Sequence, residues 1–258
     1  MTRSRLDAIV AQAKAEGEVS VETLATAFAV TPQTIRKDLN DLCERGVLNR
    51  THGGAVFPSG VENVEYERRR QIAAREKARI GRAAAGLIAN GASLFINLGT
   101  TTEAVSRALG QSDPPRDGLM AVTNNINVAN HLRSNPRFEV VVAGGIVRAS
   151  DGGIVGEATV DFISQFKVDD AIIGVSAIDA DGALLDYDYR EVRVSRAIMT
   201  NARRIILVAD ATKFERQAPV RIGHLAQVDV FVTDRCPSHD IRRLCAEAGT
   251  RLIETDAD

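Results

Sequence analysis

The sequence predicts an α/β protein in two parts, a small N-terminal unit of three helices and a hairpin, followed by a larger, mainly parallel sheet. Apolar residues recur at helical spacing through the first 45 residues, and a glycine pair interrupts the short extended run that follows. From residue 83 onward, apolar β-branched runs alternate with helical segments. Buried strands separated by crossover helices are typical of a doubly wound parallel sheet. A chain of 258 residues is long enough for one small and one larger domain.

Three short helices are predicted at the N terminus. The first is amphipathic over residues 6–13, and Ser20 is a good N-cap for the second. A short break at residues 29–30 leads to the third helix, which Thr31 caps. Pro32 follows at the first helical position, where a missing N–H group costs nothing. Two short helices joined in this way predict a helix-turn-helix.

The third helix has two different faces. Its apolar stripe at Ile35, Leu39 and Leu42 suits a core, while the opposite face carries side chains that suit base edges and phosphates. Residues 47–57 predict a hairpin that turns near Gly53 and Gly54, and three helices with such a hairpin make a winged helix. The predicted DNA-binding residues are Ser20, Thr31, Gln33, Thr34, Arg36, Lys37, Asn40, Arg50, His52 and Gly53.

Charge alone does not identify this unit as DNA-binding. Residues 1–58 contain seven Lys or Arg and seven Asp or Glu, so the unit is formally neutral and a purely structural helical bundle stays open. The positions of Arg36, Lys37, Arg50 and His52 on the third helix and the hairpin favour DNA. Because neutralisation of phosphates supplies non-specific affinity, one such unit is expected to bind weakly, and a homodimer or homotetramer is expected.

Composition excludes several other classes of protein. No apolar run is long enough to cross a membrane, and charged residues at Arg3, Arg5 and Asp7 interrupt a signal peptide, so a cytoplasmic protein is expected. Cys43 is distant in sequence from Cys236 and Cys245, and their spacing matches no metal motif. We expect reduced structural thiols, no bound metal and no cofactor.

A basic segment joins the two predicted domains. The division predicted is residues 1–58 for the DNA-binding unit, 59–73 for a linker and 74–258 for the α/β domain. Residues 65–82 contain seven Lys or Arg against three Glu, an excess of four positive charges. Such a run is either a solvated helix face or a connecting helix close to DNA phosphates or to the second domain.

The second domain is expected to bind a ligand where its strands end. Strands are predicted at 94–97, 119–123, 140–143, 171–175, 205–209 and 228–233, with helices beginning near residues 102, 127, 157, 190 and 240. Ligands on doubly wound sheets bind at the carboxyl ends of the strands. The candidate ligand-binding residues are Asn97, Gly99, Thr100, Thr101, Thr123, Asn124, Gly144, Gly145, Gly174, Ser176, Asp210 and Lys213.

Residues 94–104 read as a strand, a glycine turn and hydroxyl residues that open a helix. Free N–H groups and the positive end of the helix dipole make that arrangement a phosphate cradle, and Lys213 offers a point charge. A plain strand–helix turn with a threonine cap explains the same residues, and the sequence leaves both readings open.

The chain resembles the DeoR family of bacterial repressors through the third helix and the segment 50–55. Similarity continues through residues 97–101, 123–130, 151–166 and 184–193, and spans roughly residues 3–235. The last two segments are similar to the subgroup that represses glycerol-3-phosphate metabolism. The resemblance implies a sensor domain with the fold of sugar-phosphate isomerases, operator DNA as a partner, and glycerol-3-phosphate or a similar phosphorylated metabolite as effector.

A sugar-phosphate enzyme is the alternative that the resemblance raises. The family's isomerase relatives carry two acidic residues and a lysine in a strand-end motif, and the matching positions here are Ile173, Ser176 and Asp186. Isoleucine cannot move a proton, and serine is no general base at neutral pH without activation. We therefore predict no catalytic residues and no enzyme activity.

The acidic segment 186–191 offers a last alternative. Asp186, Asp188 and Glu191 could be read as metal ligands, but we predict a solvated acidic loop. The histidines other than His52 are predicted to be surface or capping residues.

Overall fold

The computed structural model describes residues 2–16, 18–45, 47–51, 53–56 and 66–255. The helices are α1 (Thr2–Glu16), α2 (Val21–Ala27), α3 (Pro32–Glu44), α4 (Tyr66–Gln71), α5 (Ala74–Gly86), α6 (Thr100–Gly110), α7 (Ile126–Leu132), α8 (Glu157–Ile163), α9 (Tyr189–Thr200) and α10 (His239–Ala248). Short 3-10 helices span Ala211–Glu215 and Leu225–Gln227.

The strands are β1 (Glu18–Ser20), β2 (Asn49–Thr51), β3 (Gly54–Val56), β4 (Ser93–Ile96), β5 (Leu119–Thr123), β6 (Phe138–Val142), β7 (Ile146–Val147), β8 (Ile154–Val155), β9 (Val168–Ile173), β10 (Ala177–Ile178), β11 (Ala183–Asp186), β12 (Ala202–Val208), β13 (Val220–His224), β14 (Val230–Thr233) and β15 (Arg251–Glu254).

The described part of residues 2–56, called the head below, contains the predicted helices and hairpin. Strands β2 and β3 pair antiparallel, with Thr51 opposite Gly54. Strand β1, which the sequence pattern did not reveal, pairs with the other side of β3 and completes a three-stranded sheet. The three helices and this sheet enclose a core of fully buried residues that includes Ile9, Leu24, Leu39 and Leu48.

The larger domain, called the sensor below, contains a seven-stranded parallel sheet. Its strand order is β15-β14-β12-β9-β4-β5-β6. The chain therefore builds outward from β4 to β6, returns to β9 beside β4, and then builds in the other direction. All six predicted strands are present in this sheet, and their carboxyl ends lie at one edge.

Two hydrophobic layers cover the faces of this sheet. Phe95 and Phe231 belong to the layer under α8, α9 and α10, whereas Leu94 and Ile206 belong to the layer under α5, α6 and α7. Neighbouring residues of β4 thus point to opposite layers, and both are fully buried. Burial on both faces explains why the sequence shows continuous apolar runs here instead of alternation.

Smaller antiparallel pairings complete the sensor. Strands β10, β11 and β13 form a three-stranded sheet, and β7 pairs with β8. Strands β7, β8 and β10 were missed in the sequence because each has only two residues, and β11, β13 and β15 were missed because none contains an apolar β-branched run. The small sheet matters for the site, because β11 ends at Asp186.

The predicted linker is largely helical where the structure describes it. Residues 57–65, including the Pro58–Val64 stretch, lie outside the described residues, but Tyr66–Gln71 forms α4. The reading of residues 65–82 as a solvated helix face is wrong for several of its cations, because Lys77 is buried and the Arg69 side chain is only 14% exposed. No described helix is long and apolar enough to cross a membrane.

Candidate functional site

The outer face of α3 presents the polar residues predicted to contact DNA. Ile35 and Leu39 are fully buried on its inner face, while Gln33, Arg36 and Lys37 are exposed. Thr31 and Asn40 are exposed as well, and Thr34 is half-buried. One helix therefore anchors itself in the head core and offers donors and cations to a groove.

Two local features fix the orientation of α3 within the head. Ala29 adopts a left-handed conformation with φ of 51°, and the Val30 N–H group donates to the Ala25 carbonyl at 3.1 Å, which makes the turn tight. The Arg5 guanidinium binds both carboxylate oxygens of Asp38, at 2.6 and 3.2 Å. Since Asp38 is buried, this ion pair holds α3 against α1.

The other predicted DNA-binding residues occupy the cap of α2 and the hairpin. Ser20 caps α2, because its Oγ accepts from the Thr23 N–H group at 3.1 Å, so its hydroxyl already has a structural task. Arg50 is exposed on β2, and Gly53 is exposed in the turn with φ of 92°. His52 lies outside the described residues.

A crevice lies where the sheet changes direction, and most of the predicted ligand-binding residues collect around it. Strands β4 and β9 are neighbours, and the chain runs from β4 toward one edge and from β9 toward the other. This is the topological switch point at which doubly wound folds bind ligands. The carboxyl ends of β4, β5, β9 and β12, the segments that follow them and the neighbouring residues of α4 and α5 are called the crevice below.

The end of β4 turns directly into α6. Gly99 adopts φ of 133°, a conformation that a residue with a side chain rarely takes, and this lets the chain enter α6 at Thr100. The first N–H groups of a helix have no partner within it, so α6 begins with donors that point toward the crevice. Thr102 does not face a ligand, because its hydroxyl is taken by the carbonyls of Asn97 and Gly99 at 2.7 Å each.

Two asparagines at the strand ends retain unused acceptors. The Asn97 amide donates to the Ser195 hydroxyl at 2.8 Å, and the Asn124 amide donates to the Ile154 carbonyl at 3.3 Å. Both carbonyl oxygens, Asn97 Oδ1 and Asn124 Oδ1, are buried and have no hydrogen-bond partner within the described residues. Buried polar groups are normally satisfied, so these acceptors point to a missing donor such as a ligand hydroxyl. Thr123 differs, because its hydroxyl donates to the Ile96 carbonyl at 2.6 Å.

Past the end of β12, Asp210 and Lys213 are both buried. Asp210 Oδ1 accepts from the Thr212 N–H group at 3.2 Å, while Oδ2 makes no hydrogen bond within the described residues. Burial lowers the pKa of Lys213 well below its usual value, and the positive charge of Arg216 lowers it further. Nearby lysines hold the pKa of Asp210 below its usual value despite its burial.

Three cationic side chains that were not predicted as ligand-binding residues lie near Lys213. Arg69, Lys77 and Arg216 come from α4, α5 and the loop after the 3-10 helix, and with Lys213 they form what we call the cationic cluster. Arg216 is buried, and its Nε, like that of Arg69, has no hydrogen-bond partner in the described part of the chain. Four cationic side chains are therefore gathered around buried Asp210 in a desolvated place, where a charge attracts an anion more strongly than it would in water.

Lys77 is the best satisfied member of the cationic cluster. Its ammonium donates to the carbonyls of Arg69 and Ile72 at 2.6 and 2.7 Å and lies 3.9 Å from Asp210 Oδ2. Burial lowers its pKa to about 8. The basic run in the sequence was the signal for these residues, but nothing in it distinguished the buried cations from exposed Arg70 and Arg75.

The prediction of a solvated acidic loop over residues 186–191 is wrong. Asp186 and Glu191 are buried, and Arg148 binds Glu191 Oε2 at 2.6 Å and Asp188 Oδ2 at 3.2 Å. Burial and the charge of Asp186 raise the pKa of Glu191 to about 7. Asp188 and Glu191 were misread because Arg148, distant in sequence, contacts them only after folding. Within the described residues no group of His, Cys, Asp or Glu is arranged to hold a metal ion.

Ser176 and Gly174 follow β9 and lie at the centre of the crevice. The Ser176 hydroxyl donates to Asp186 Oδ1 at 2.9 Å, so it is occupied by the small sheet. Burial raises the pKa of Asp186 above its usual value. Ile173 is fully buried in the sheet, which leaves the strand end without an acid at that position.

Gly144 and Gly145 lie farther away, at the end of the edge strand β6. Both are exposed, and a Cβ atom on Gly145 would lie 2.2 Å from Thr159 Oγ1. The Thr159 hydroxyl also donates to the Gly144 carbonyl at 2.9 Å. Close packing against α8 is thus a sufficient reason for Gly145, whereas a Cβ atom on Gly144 would meet open space. The predicted contact of both glycines with a ligand stays a prediction.

Comparisons with known proteins agree with both regions. A family profile described as DeoR-like helix-turn-helix domain matches residues 5–61, and one described as DeoR C terminal sensor domain matches residues 72–235. The Glycerol-3-phosphate regulon repressor of Haemophilus influenzae is 50% identical over 95% of this chain and 94% of its own length. The repressor of the same name from Escherichia coli is 46% identical over 96% and 97%.

Among solved structures, ribose 5-phosphate isomerase A from Methanocaldococcus jannaschii overlaps 55% of this chain and 55% of its own, with a TM-score of 0.40 and 13% identity. That likeness is too distant to bear on function. The two family matches and the identities over nearly the full length agree with the helix-turn-helix head and the parallel-sheet sensor described above, and the chain belongs to the DeoR family.

Proposed function

We propose that the protein is a transcriptional repressor that binds operator DNA through α3 and the β2–β3 hairpin, and releases it when the crevice binds a small phosphorylated metabolite. Glycerol-3-phosphate is the effector we propose, since the relatives at 46–50% identity are named Glycerol-3-phosphate regulon repressors. We also propose that residues 1–58 and 74–258 act as the DNA-binding and sensing units.

The observation that carries the effector proposal is the cationic cluster beside the start of α6. A phosphate needs positive charge and several donors, and it finds Lys213, the unsatisfied Nε atoms of Arg69 and Arg216, and the first N–H groups of α6. A polyol needs acceptors for its hydroxyls, and the unused oxygens of Asn97 and Asn124 supply them. The two chemistries occur side by side, as they do in a phosphorylated polyol.

Two heads acting together are required for specific binding in this proposal. The head is formally neutral over residues 1–58, so one copy neutralises few phosphates. Dimeric proteins of this kind place two recognition helices in successive major grooves, about 34 Å apart. We therefore propose a homodimer or homotetramer whose effector-bound form holds the heads at another spacing.

The test is titration of the protein, bound to DNA from its own promoter, with glycerol-3-phosphate and a panel of other phosphorylated metabolites. Release by glycerol-3-phosphate at lower concentration than by inorganic phosphate or glycerol is the expected result. Lys213→Ala is expected to weaken the effector about 10- to 150-fold, the range for one hydrogen bond to a charged group, while operator affinity without effector is retained. Lys167→Ala is the matched control, because Lys167 is exposed and precedes β9, at the opposite end of that strand from the crevice.

Three outcomes contradict the proposal. If unphosphorylated glycerol releases DNA at the same concentration as glycerol-3-phosphate, the site does not recognise the phosphate. A wild-type response in Lys213→Ala places the pocket elsewhere. Turnover of glycerol-3-phosphate or ribose-5-phosphate that scales with protein and survives repurification makes the sensor an enzyme.

A further inference from the structure

Two short segments connect the crevice to the C-terminal end of α3. In each segment one residue faces the crevice and another contacts the end of α3. They are α4, with Arg68 and Arg69 adjacent, and the 3-10 helix Ala211–Glu215, with Lys213 and Glu215 two residues apart. Neither family match covers α4, because one ends at residue 61 and the other begins at residue 72.

The first connection runs through α4. Arg68 donates from Nη2 to the carbonyl of Cys43 near the end of α3, where the carbonyls of a helix lack partners within it. Arg69, the next residue, turns toward the sensor and donates to Asp151 Oδ2 at 3.2 Å, with its Nε buried and unsatisfied in the described structure. One turn of helix therefore contacts the head on one side and the cationic cluster on the other.

Lys77 fastens the C-terminal end of α4 to the crevice. Its ammonium binds the Arg69 and Ile72 carbonyls and lies 3.9 Å from the unsatisfied Oδ2 of Asp210. An anion that draws Lys77 or Arg69 toward itself must change the bonds that hold α4 in place. Because the Lys77 ammonium also lies beside Asp210, a change at Asp210 also alters the hydrogen bonds that hold α4.

The second connection runs through the 3-10 helix. Lys213 is buried in the crevice, and Glu215 accepts two hydrogen bonds from Arg45 Nη2 at 3.0 and 3.2 Å. Arg45 is the C-cap residue of α3. Both connections thus end within three residues of each other, at Cys43 and Arg45.

Between these two contacts the head and sensor are separated by space. A cavity of about 710 Å³ lies between Leu6, Asp41 and Glu44 of the head and Ile72, Asp210 and Asp234 of the sensor. Within the described residues the head core shares no residue with the two hydrophobic layers of the sensor, so the head can shift without unpacking a hydrophobic core. The geometry suits a movable joint better than a rigid interface.

We infer that α4 and the 3-10 helix are the two mechanical connections through which an anion at the cationic cluster repositions α3, with Arg69 and Lys213 at the ligand end and Arg68 and Glu215 at the DNA end. The inference rests on the proposed function. It assigns the regulatory task to two residues, Arg68 and Glu215, to which the proposed function gives no contact with the ligand or with DNA.

The experiment measures coupling directly, with the full-length protein. Coupling is the ratio of the dissociation constant for glycerol-3-phosphate on the operator complex to that on the free protein, and about 5- to 150-fold is expected for the wild type. In the double variant Arg68→Ala/Glu215→Ala we expect this ratio to fall below about 3-fold, with glycerol-3-phosphate still binding the free protein. The control is Arg243→Ala/Glu247→Ala, which removes an exposed arginine–glutamate pair from α10.

Wild-type coupling in the double variant overturns the inference while the proposed function stands. A wild type that binds no phosphorylated metabolite, or binds one without any change in operator affinity, contradicts the proposed function instead. The connections are then tested without effector, by hydrogen exchange in Lys213→Ala. Altered exchange in residues 41–45 and 66–72, with α10 unchanged, supports them, and unaltered exchange in both segments overturns them.

Discussion

The proposed DNA-contacting face of the head and the crevice of the sensor are built in opposite ways. The head places its polar residues on the exposed side of one helix, at positions set by the 3.6-residue period. The crevice collects buried polar residues from segments up to 147 positions apart, from Arg69 to Arg216. Residues on the exposed face can therefore be changed one at a time. Each crevice residue, in contrast, also forms hydrogen bonds with its neighbours or shifts their pKa values.

The largest expected effect comes from a change that destabilises the head and leaves the sensor folded. Leu39→Ala removes a fully buried side chain from the small head core and should cost about 2–5 kcal/mol, enough to unfold a small domain. We expect operator binding to disappear while glycerol-3-phosphate still binds the sensor. Thermal unfolding should gain a separate low-temperature transition. Loss of both activities together would mean that the head and sensor fold as one unit.

On the exposed face, single changes should alter DNA binding and nothing else. Gln33→Ala, if Gln33 contacts a base, should cost about 1–3 kcal/mol and relax preference at one operator position. Arg36→Ala should instead weaken binding to every sequence and reduce the salt dependence by about one phosphate. Binding to operator mutants across a salt series distinguishes these outcomes. Wild-type behaviour of both variants would remove α3 from the interface.

In the crevice, the buried lysines should make effector binding depend on pH. Lys77 has a pKa of about 8 and that of Lys213 is also lowered, because burial disfavours their charged forms. A bound phosphate dianion favours the ammonium form and raises these pKa values, so protons are taken up on binding. Affinity should fall as pH rises through about 8, by at most about tenfold per unit for each proton taken up.

Calorimetry at pH 7, 8 and 9 checks this, with Lys77→Arg as the variant that should flatten the profile. The effect on folding has the opposite sign. Since the pKa of Lys77 is lower in the folded protein than its ordinary value of 10.5, its contribution to stability is least below about pH 8 and rises between these values. Affinity that is constant from pH 7 to 9 would exclude both lysines as effector ligands.

The smallest expected effect concerns helix N-caps, a feature that the head and the sensor share. Thr31 caps α3 and Ser238 caps α10, each through a side-chain oxygen 3.3 Å from a backbone nitrogen. Replacing either with Ala should lower stability by about 1 kcal/mol. Only Thr31→Ala should also weaken operator binding, because only α3 carries the DNA face. Equal operator affinity in the two variants would argue against a role for the start of α3 in binding.

The sequence alone determined the head and the frame of the sensor. Thr31, Pro32 and the stripe of Ile35 and Leu39 predicted α3 because capping and helical periodicity are local properties. The inner strands of the sheet, such as β4, β9 and β12, were predictable because burial on both faces leaves a continuous apolar run. The positions of Gly99 and Lys213 after such strands then indicated the crevice.

Only the tertiary structure decided which charges are buried and what they contact. The sequence shows Arg68, Arg69 and Arg70 as equivalent neighbours, yet one contacts the head, one enters the crevice and one pairs with Glu67 at the surface. Asp188 and Glu191 looked like part of a solvated loop until Arg148 was brought against them. The reason is that helical and strand patterns depend on adjacent residues, whereas desolvation and ion pairing depend on residues that folding alone brings together.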